Sequence, residues 1–315
     1  MKREDSLSIV VPVFNEAENV SLLYDEIVRS MQDEFEEYQI IFVDDGSSDE
    51  TSTLIAKFPN VRLIKLARNY GQTAAIRAGI LECNSKYVAF LDGDGQNNPS
   101  DITDMFDFLK EKNVDCVCGW RKNRKDKLVK RFVSRIAGKL RNAIIPDGIH
   151  DAGCTLKVMT IEAAKSLELF GELHRFIPSM LTMNGYSLFE FQVNHRPRVF
   201  GKSKYGWKRM FKGYLDMVGL WFWNRYSARP LHFFGALAVV FFCSGGLLVA
   251  VAVFSYFYLN QTFSKFLPAA GFLLLIQSGQ FFVSGLIAQA LSKNFYKNSD
   301  AQPFRIISQI NNIAK

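Results

Sequence analysis

Along its first 120 residues the chain alternates short, unbroken apolar runs with longer stretches where apolar positions recur every three or four residues. The unbroken runs are Leu7–Phe14, Gln39–Val43, Val61–Leu66, Tyr87–Leu91 and Val114–Cys118. Runs of this length suit strands covered on both faces, as in parallel sheets. Between them the spacing predicts helices over about Asn19–Met31, Thr51–Phe58, Gly71–Leu81 and Asp101–Glu111. A β-α-β-α order of this kind predicts an α/β domain with a doubly wound, mostly parallel sheet. Such sheets bind ligands beyond the carboxyl ends of their strands.

The pattern changes twice further on. Lys122–Ile145 reads as a basic helical stretch, and Trp207–Trp223 mixes aromatic residues with Lys208, Arg209 and Lys212, as a helix lying in a membrane interface would. From Leu231 the chain is nearly free of charge. The two apolar spans, about 231–259 and 266–291, are each long enough to cross roughly 30 Å of hydrocarbon, and the short link between them predicts a hairpin. Arg225 and Arg229 precede the first span, Lys293 and Lys297 follow the second, and the link carries only Lys265. Positive charge gathers on the cytoplasmic side, so both ends of the hairpin and the large domain are expected there. The expected division is a catalytic domain over 1–206, an interfacial segment over 207–229, the hairpin over 230–292 and a cytoplasmic tail over 293–315. The N-terminus lacks the apolar core of a signal peptide, so targeting falls to the hairpin.

Composition narrows the partners. The 315 residues carry a formal charge of +7, which favours anionic ligands such as lipid headgroups or phosphorylated substrates. No zinc-finger spacing or RNP-type aromatic motif accompanies the charge, which argues against nucleic acid. The five cysteines, Cys83, Cys116, Cys118, Cys154 and Cys243, form no C-x-x-C pair and read as small buried residues of a reducing compartment.

The chemistry gathers at the strand ends. The first strand runs into Pro12–Val13–Phe14–Asn15–Glu16, the second into Asp44–Asp45–Gly46–Ser47–Ser48–Asp49, and the fourth into Asp92–Gly93–Asp94–Gly95–Gln96. Asp92 and Asp94, one residue apart around a glycine turn, could share a divalent cation, because Mg2+ and Mn2+ take oxygen ligands and divide them between carboxylates and substrate phosphates. An acidic turn or a helix cap explains any one of these clusters; Asp49 has the position of a cap for the helix at Thr51. Three clusters at one sheet edge suggest a site.

Taken in order, VVPVFNEAENV, FVDDGSSDET, LARNYGQTAAIRAG and FLDGDGQNNPSDI resemble the successive signatures of family 2 glycosyltransferases of the GT-A fold. GWRKNR, SRIAGKL, DAGCTLK, HRFIP and PRVFGKSKYG are similar to the polyprenyl-phosphate branch of that family, and the match runs from about residue 7 to residue 206. The resemblance implies a nucleotide-diphosphate sugar as donor, a polyprenyl (undecaprenyl or dolichyl) phosphate as acceptor, and Mg2+ or Mn2+ as cofactor. It implies that Pro12, Glu16, Asp44 and Asp45, with Asn15 beside them, contact the nucleoside. Asp92, Asp94 and Gln96 would hold the metal and the donor diphosphate or sugar, with Asp94 catalytic. Arg121, Arg135 and Arg198, with Ser203 and Lys204, would grip the acceptor phosphate. Gly93 stands where relatives often have Ala, and Gly95 and Asn97–Asn98 also depart from the usual pattern; these changes are expected to affect loop shape more than reaction type.

A lipid phosphate is largely dianionic at neutral pH, because its second pKa lies near 6, and it can attack without a general base. Asp151, in DAGCTLK, is then either a second catalytic carboxylate or a buried structural one. His174 and Arg175 either line the acceptor mouth or cap a helix, and His150, His195 and His232 lack ligand-like spacing. The reaction implied is an inverting transfer at the cytoplasmic face of a bacterial inner membrane. Two other readings remain: a polysaccharide synthase, which lacks support because no Gln-x-x-Arg-Trp motif is present, and a catalytically silent nucleotide-sugar-binding scaffold. The hairpin either anchors the chain in membrane lipid alone or also packs against a second copy, as a homo-oligomer.

Overall fold

The computed structural model describes residues 2–122, 148–197, 207–258 and 266–298. The chain divides into two compact units, Met1–Val218 and Gly219–Lys315.

In the first unit, seven strands form one sheet in the order β3-β2-β1-β4-β6-β5-β7. They are β1 Leu7–Val13, β2 Tyr38–Asp44, β3 Val61–Lys65, β4 Tyr87–Phe90, β5 Cys116–Trp120, β6 Lys157–Thr160 and β7 Leu188–Gln192. Strand β1 is buried along its whole length, as its unbroken apolar run requires. It pairs in parallel with β2 on one side and β4 on the other. The sheet is mixed, because β6 runs antiparallel to both β4 and β5.

Helices α1 (Ala17–Met31), α2 (Thr51–Ile55), α3 (Gln72–Leu81) and α4 (Asp101–Lys112) connect the first five strands. Helix α1 buries Val20, Leu23, Ile27 and Met31, spaced at one helical face, and α4 buries Ile102, Met105, Phe106 and Leu109. These residues join Leu7, Ile9, Val11 and Phe35 in one core, with Phe35 set edge-on against Phe106 at 5.1 Å. Asn113 ends α4 in the left-handed conformation, φ +49°, a common helix stop. Helix α2 ends at Ile55, short of the expected Phe58. Past β6 come α5 (Ile161–Lys165), a 3-10 turn at Leu173–Phe176 and α6 (Ile177–Met183).

The strand order turns back between β1 and β4, since the chain builds outward through β2 and β3 before β4 is laid on the other side of β1. A crevice forms at such a switch point, and here it lies beyond the ends of β1 and β4.

The second unit contains the last turns of α7 (Trp207–Tyr226), with α8 (Pro230–Tyr258) and α9 (Phe266–Asn298). Helices α8 and α9 have segments long and apolar enough to cross a membrane, with mean hydropathy 2.6 and 1.6. Most of each span is exposed, for example Leu247 at 64% and Leu273 at 67%. A soluble core helix would bury that surface, whereas lipid accommodates it. Cys243 is exposed on α8, which corrects the expectation of five buried cysteines; the other four are buried. The two helices approach closely where a Cβ on Gly245 would meet the Gly271 carbonyl oxygen at 2.8 Å. Ser278 Oγ donates to the Ala238 carbonyl at 2.9 Å, and small and hydroxyl residues are the usual means of helix contact in lipid. Trp221 and Phe222 pack against Phe233 at the start of α8. Gln277, Gln280 and Ser284 line an open groove on α9.

Candidate active site

Two loops meet at the ends of β1 and β2. Asn15 adopts φ +53°, a conformation Asn tolerates better than most residues. It donates its backbone N–H to Ser47 Oγ at 2.9 Å and accepts the Ser48 N–H on Oδ1 at 2.8 Å. Glu16 donates its N–H to Thr51 Oγ1 and accepts from the Asn19 amide. Asp49 accepts from the Thr51 N–H at 3.0 Å and the Ala17 N–H at 3.3 Å, so it serves the starts of two helices.

Asp44 and Asp45 are both buried, and both are engaged within the protein. Asp44 Oδ1 accepts from Ser47 N–H at 2.9 Å and from Ser47 Oγ, and Oδ2 accepts from Ser52 Oγ. Asp45 accepts the N–H groups of Tyr70 and Gly71 at 2.7 and 2.8 Å, one on each oxygen. Pro12 lies one residue before the end of β1.

The Asp92–Gln96 loop rests on the end of β1. A Cβ on Gly93 would stand 2.7 Å from Val13 Cγ1 and 3.0 Å from the Pro12 carbonyl oxygen. A side chain at 93 would therefore crowd the end of β1 unless Val13 shifts, whereas the turn itself needs positive φ at Gly95, φ +69°. Asp92 Oδ1 accepts from Gln72 Nε2 at 2.7 Å. Burial, and then the charge of Asp94, push the Asp92 carboxyl up to about 6, against an ordinary 3.8. Asp94 Oδ1 accepts from the Gln96 N–H at 3.2 Å. Gln96 exchanges hydrogen bonds with the backbone of Arg196, and Asn97 bridges to His195. The loop is thus tied to the segment that leads to Arg198.

Across the site, Arg121 follows β5 and holds Asp151. Its Nε donates to Asp151 Oδ2 at 2.7 Å and its Nη2 to Oδ1 at 3.0 Å, with side chains only 10% and 16% exposed. Burial opposes the Arg121 charge, but its bonds to Asp151 outweigh that and raise its pKa. Asp151 is fixed in turn by Glu190, which accepts the N–H groups of His150 and Asp151 and pairs with the His150 ring at 2.7 Å. The His150 ring stacks on Trp120, with centroids 5.1 Å apart. Burial pushes the Cys154 thiol up to about 11, which leaves it protonated. His174 is buried, and its Nδ1 lies 2.7 Å from Thr73 Oγ1; it docks the 3-10 turn onto α3.

The fold thus brings Asp92, Asp94, Gln96, Arg121 and Asp151 to one sheet edge, with Pro12, Asn15, Glu16, Asp44 and Asp45 beside them. Arg135, Arg198, Ser203 and Lys204 lie outside the described residues, as does most of the basic stretch from Lys122. Sequence reasoning missed Gln72, which falls within the quoted LARNYGQTAAIRAG segment, because helical spacing gives the face of a residue and not its partner. Glu190 was missed too: it lies on a strand 39 positions from the Asp151 backbone it holds.

Among the described residues no group of three or more His, Cys, Asp or Glu is placed to hold a metal ion. The donor set nevertheless fits a divalent cation shared with a substrate. Asp92 and Asp94 offer oxygen ligands, and burial and then the charge of Asp94 disfavour the ionised Asp92 carboxylate. A cation would relieve that repulsion, and diphosphate oxygens would complete its shell.

The family model "Glycosyl transferase family 2" matches residues 8–167. Dodecaprenyl-phosphate galacturonate synthase of Rhizobium johnstonii is 37% identical over 313 residues, covering 96% of this chain and 92% of that protein. Undecaprenyl-phosphate 4-deoxy-4-formamido-L-arabinose transferase of Photorhabdus laumondii is 28% identical, covering 96% and 94%. Among solved structures, mannosyl-3-phosphoglycerate synthase from Rubrobacter xylanophilus aligns with TM-score 0.54 and 17% identity over 69% of this chain and 74% of that one. Glucosyl-3-phosphoglycerate synthase from Mycobacterium tuberculosis, in complex with Mn2+ and UDP-glucose, aligns with TM-score 0.53 and 16% identity over 70% and 79%. These structures share the GT-A sheet. With half the chain matched by the family model and a relative alike along nearly its whole length, the chain belongs to glycosyl transferase family 2.

Proposed function

We propose that the protein transfers a sugar from a nucleotide-diphosphate donor to a polyprenyl phosphate, with inversion at the anomeric carbon. The observation that carries this reading is the Asp92–Asp94 pair at the switch point of the sheet, facing an arginine, Arg121, held by Asp151. Relatives named for dodecaprenyl- and undecaprenyl-phosphate sugars, alike along nearly the full chain, support the acceptor class.

Asp92 and Asp94 would hold Mg2+ or Mn2+, which when bound neutralises charge on the departing diphosphate. Pro12, Asn15, Glu16 and the loop anchored by Asp44 and Asp45 form the nucleoside side. Gln96 positions the donor next to the segment before Arg198. Arg121 uses Nε and Nη2 on Asp151, and its Nη1 donates to no described residue, which leaves it for a phosphate oxygen. Asp151 therefore acts by aiming Arg121. The acceptor phosphate oxygen attacks the anomeric carbon, the bond to the β-phosphate oxygen breaks, and the nucleoside diphosphate leaves with that electron pair. An acceptor that is already dianionic needs no base. Arg135, Arg198, Ser203 and Lys204 are assigned to the acceptor phosphate by the family resemblance.

The apolar hairpin supports a reaction at a membrane, and the charges flanking it support a cytoplasmic catalytic domain over 1–206, with a tail over 293–315, at a bacterial inner membrane. The groove with Gln277 and Gln280 supports contact with a second copy, because amides in hydrocarbon are stabilised by partners on a neighbouring helix.

The test is transfer by the purified protein in detergent, supplied with undecaprenyl or dolichyl phosphate and a panel of radiolabelled UDP- and GDP-sugars. Chelator-sensitive label in the organic phase is expected. Nucleotide-sugar binding with no transfer from any donor would replace this reading with that of a silent scaffold.

A further inference from the structure

Lys157 has no part in the site as described so far, yet it is among the most deeply buried charged side chains in the protein, at 1% exposure. It is the first residue of β6, the antiparallel strand inserted between β4 and β5, and it lies opposite Phe90 of β4 and Cys118 of β5. Asp92 follows Phe90 by two residues, and Arg121 follows Cys118 by three. Lys157 thus lies one step inside the sheet edge, between the two strands that deliver the metal-binding pair and the arginine.

Its bonding does not account for a buried charge. The ammonium donates to the Cys154 carbonyl and forms no ion pair with any described residue. Taking an ammonium out of water costs several kcal/mol, and one neutral acceptor does not return that. An unbranched apolar side chain of similar length would fill the space without the penalty. What the charge does have is its place: its cross-strand partner Phe90 stands two residues before Asp92, and, after Thr155 and Arg121, it also favours the ionised Asp92 carboxylate. The described site sets three carboxylates, Asp92, Asp94 and Asp151, against two cations, Arg121 and Lys157. Arg121 also favours ionised Asp92, but it is committed to Asp151 through two hydrogen bonds.

We propose that Lys157 is a positioning residue for the donor diphosphate: a cation fixed beneath the Asp92–Asp94 pair that offsets its negative charge, so that a metal-bound diphosphate can settle beside two carboxylates. This rests on the reading of Asp92 and Asp94 as the metal-binding pair. It differs from a packing role in the direction of its effects. Without the cation the pair is more negative, so a divalent cation alone binds more tightly, while the diphosphate, itself anionic, binds less well.

The test compares full-length wild type with Lys157→Met and Lys157→Gln in detergent, and Lys157→Arg is the conservative variant that restores charge. Three quantities are measured: melting temperature, binding of Mn2+ alone, and KM and kcat with whichever nucleotide-sugar the wild type uses. The Met and Gln variants are expected to melt at or above the wild-type temperature. They should bind Mn2+ no more weakly than wild type, and show a donor KM raised about tenfold, the order expected for one unit charge across a partly screened site. The Arg variant should recover most of the loss. Unchanged donor KM in both neutral variants would overturn the proposal. So would melting temperature and Mn2+ affinity falling together with activity, since that pattern makes Lys157 a structural residue. If the wild type transfers no sugar, the functional reading fails; the Mn2+ and melting comparisons still decide the role of Lys157, with tighter Mn2+ binding at unchanged stability supporting it and weaker binding overturning it.

Discussion

Asp44–Asp45 and Asp92–Asp94 leave strands β2 and β4, which lie on either side of β1, so the two acidic pairs end at the same edge of the same sheet. At the first pair, every carboxylate oxygen accepts a hydrogen bond from a neighbouring loop or helix: Ser47 and Ser52 at Asp44, Tyr70 and Gly71 at Asp45. At the second, Asp92 takes the Gln72 amide and a Thr155 side-chain hydrogen bond, Asp94 accepts the Gln96 N–H, and burial and the like charge of Asp94 act on Asp92. Adjacent acids met by backbone N–H groups organise loops, whereas acids set against each other store electrostatic energy that a cation releases. Similar composition at similar places in the fold is therefore held differently: donors meet every carboxylate oxygen of the first pair, while burial and a like charge act on the second.

The comparison can be broken most directly at Asp94. Asp94→Ala is expected to lower transfer about a thousandfold, or ~4 kcal/mol in the barrier, with little change in melting temperature; a stable variant that still transfers sugar at the wild-type rate would remove the second pair from the chemistry. Next in size is the ion pair opposite. Arg121→Ala removes the two guanidinium bonds to Asp151 in a largely buried setting and should cost ~3 kcal/mol of stability, read as a lower urea midpoint, while Asp151→Asn, which keeps the shape, should cost less.

At the first pair the balance reverses. Asp45→Ala strands the Tyr70 and Gly71 N–H groups and should cost ~2 kcal/mol of stability, while transfer measured well below the melting point falls far less than in Asp94→Ala. A thermally normal Asp45→Ala with a thousandfold loss of turnover would erase the contrast. A further effect is in pH. Because the folded Asp92 pKa is raised to about 6 from 3.8, the folded state holds that proton more tightly than the unfolded one. The stability it contributes is fully present below about 3.8 and is lost as pH rises through about 6. Without divalent metal, the melting temperature of the wild type should therefore fall relative to Asp92→Asn between pH 4 and pH 7. Adding Mn2+ at pH 7 should return the loss to the wild type only.

Much of this was legible along the chain. Each of the first five strands was placed within a residue or two, because an unbroken apolar run flanked by polar turns has few other uses in an α/β domain. The mixed sheet was not legible: β6, residues 157–160, is too short to announce a direction, and its antiparallel setting follows from where the chain returns. Helix α2 stops at Ile55; Phe58, which precedes Pro59 and is biased out of the helical region, packs against Tyr24 with rings 4.4 Å apart. The acidic clusters were legible as strand-end residues, because local order alone puts them there. Their separate roles were invisible.

By itself, then, the sequence determined the α/β domain, the apolar hairpin and the gathering of carboxylates at one sheet edge, all consequences of hydrophobic period and of the chain's own connectivity. Only the tertiary structure decided that Gln72 clasps Asp92, that Glu190 fixes the backbone carrying Asp151, and that Lys157 is buried behind them. The physical reason is range: burial pattern is written in neighbours three or four positions apart, while hydrogen-bond supply and local field come from residues 20 to 40 or more positions away that meet only when the sheet is assembled.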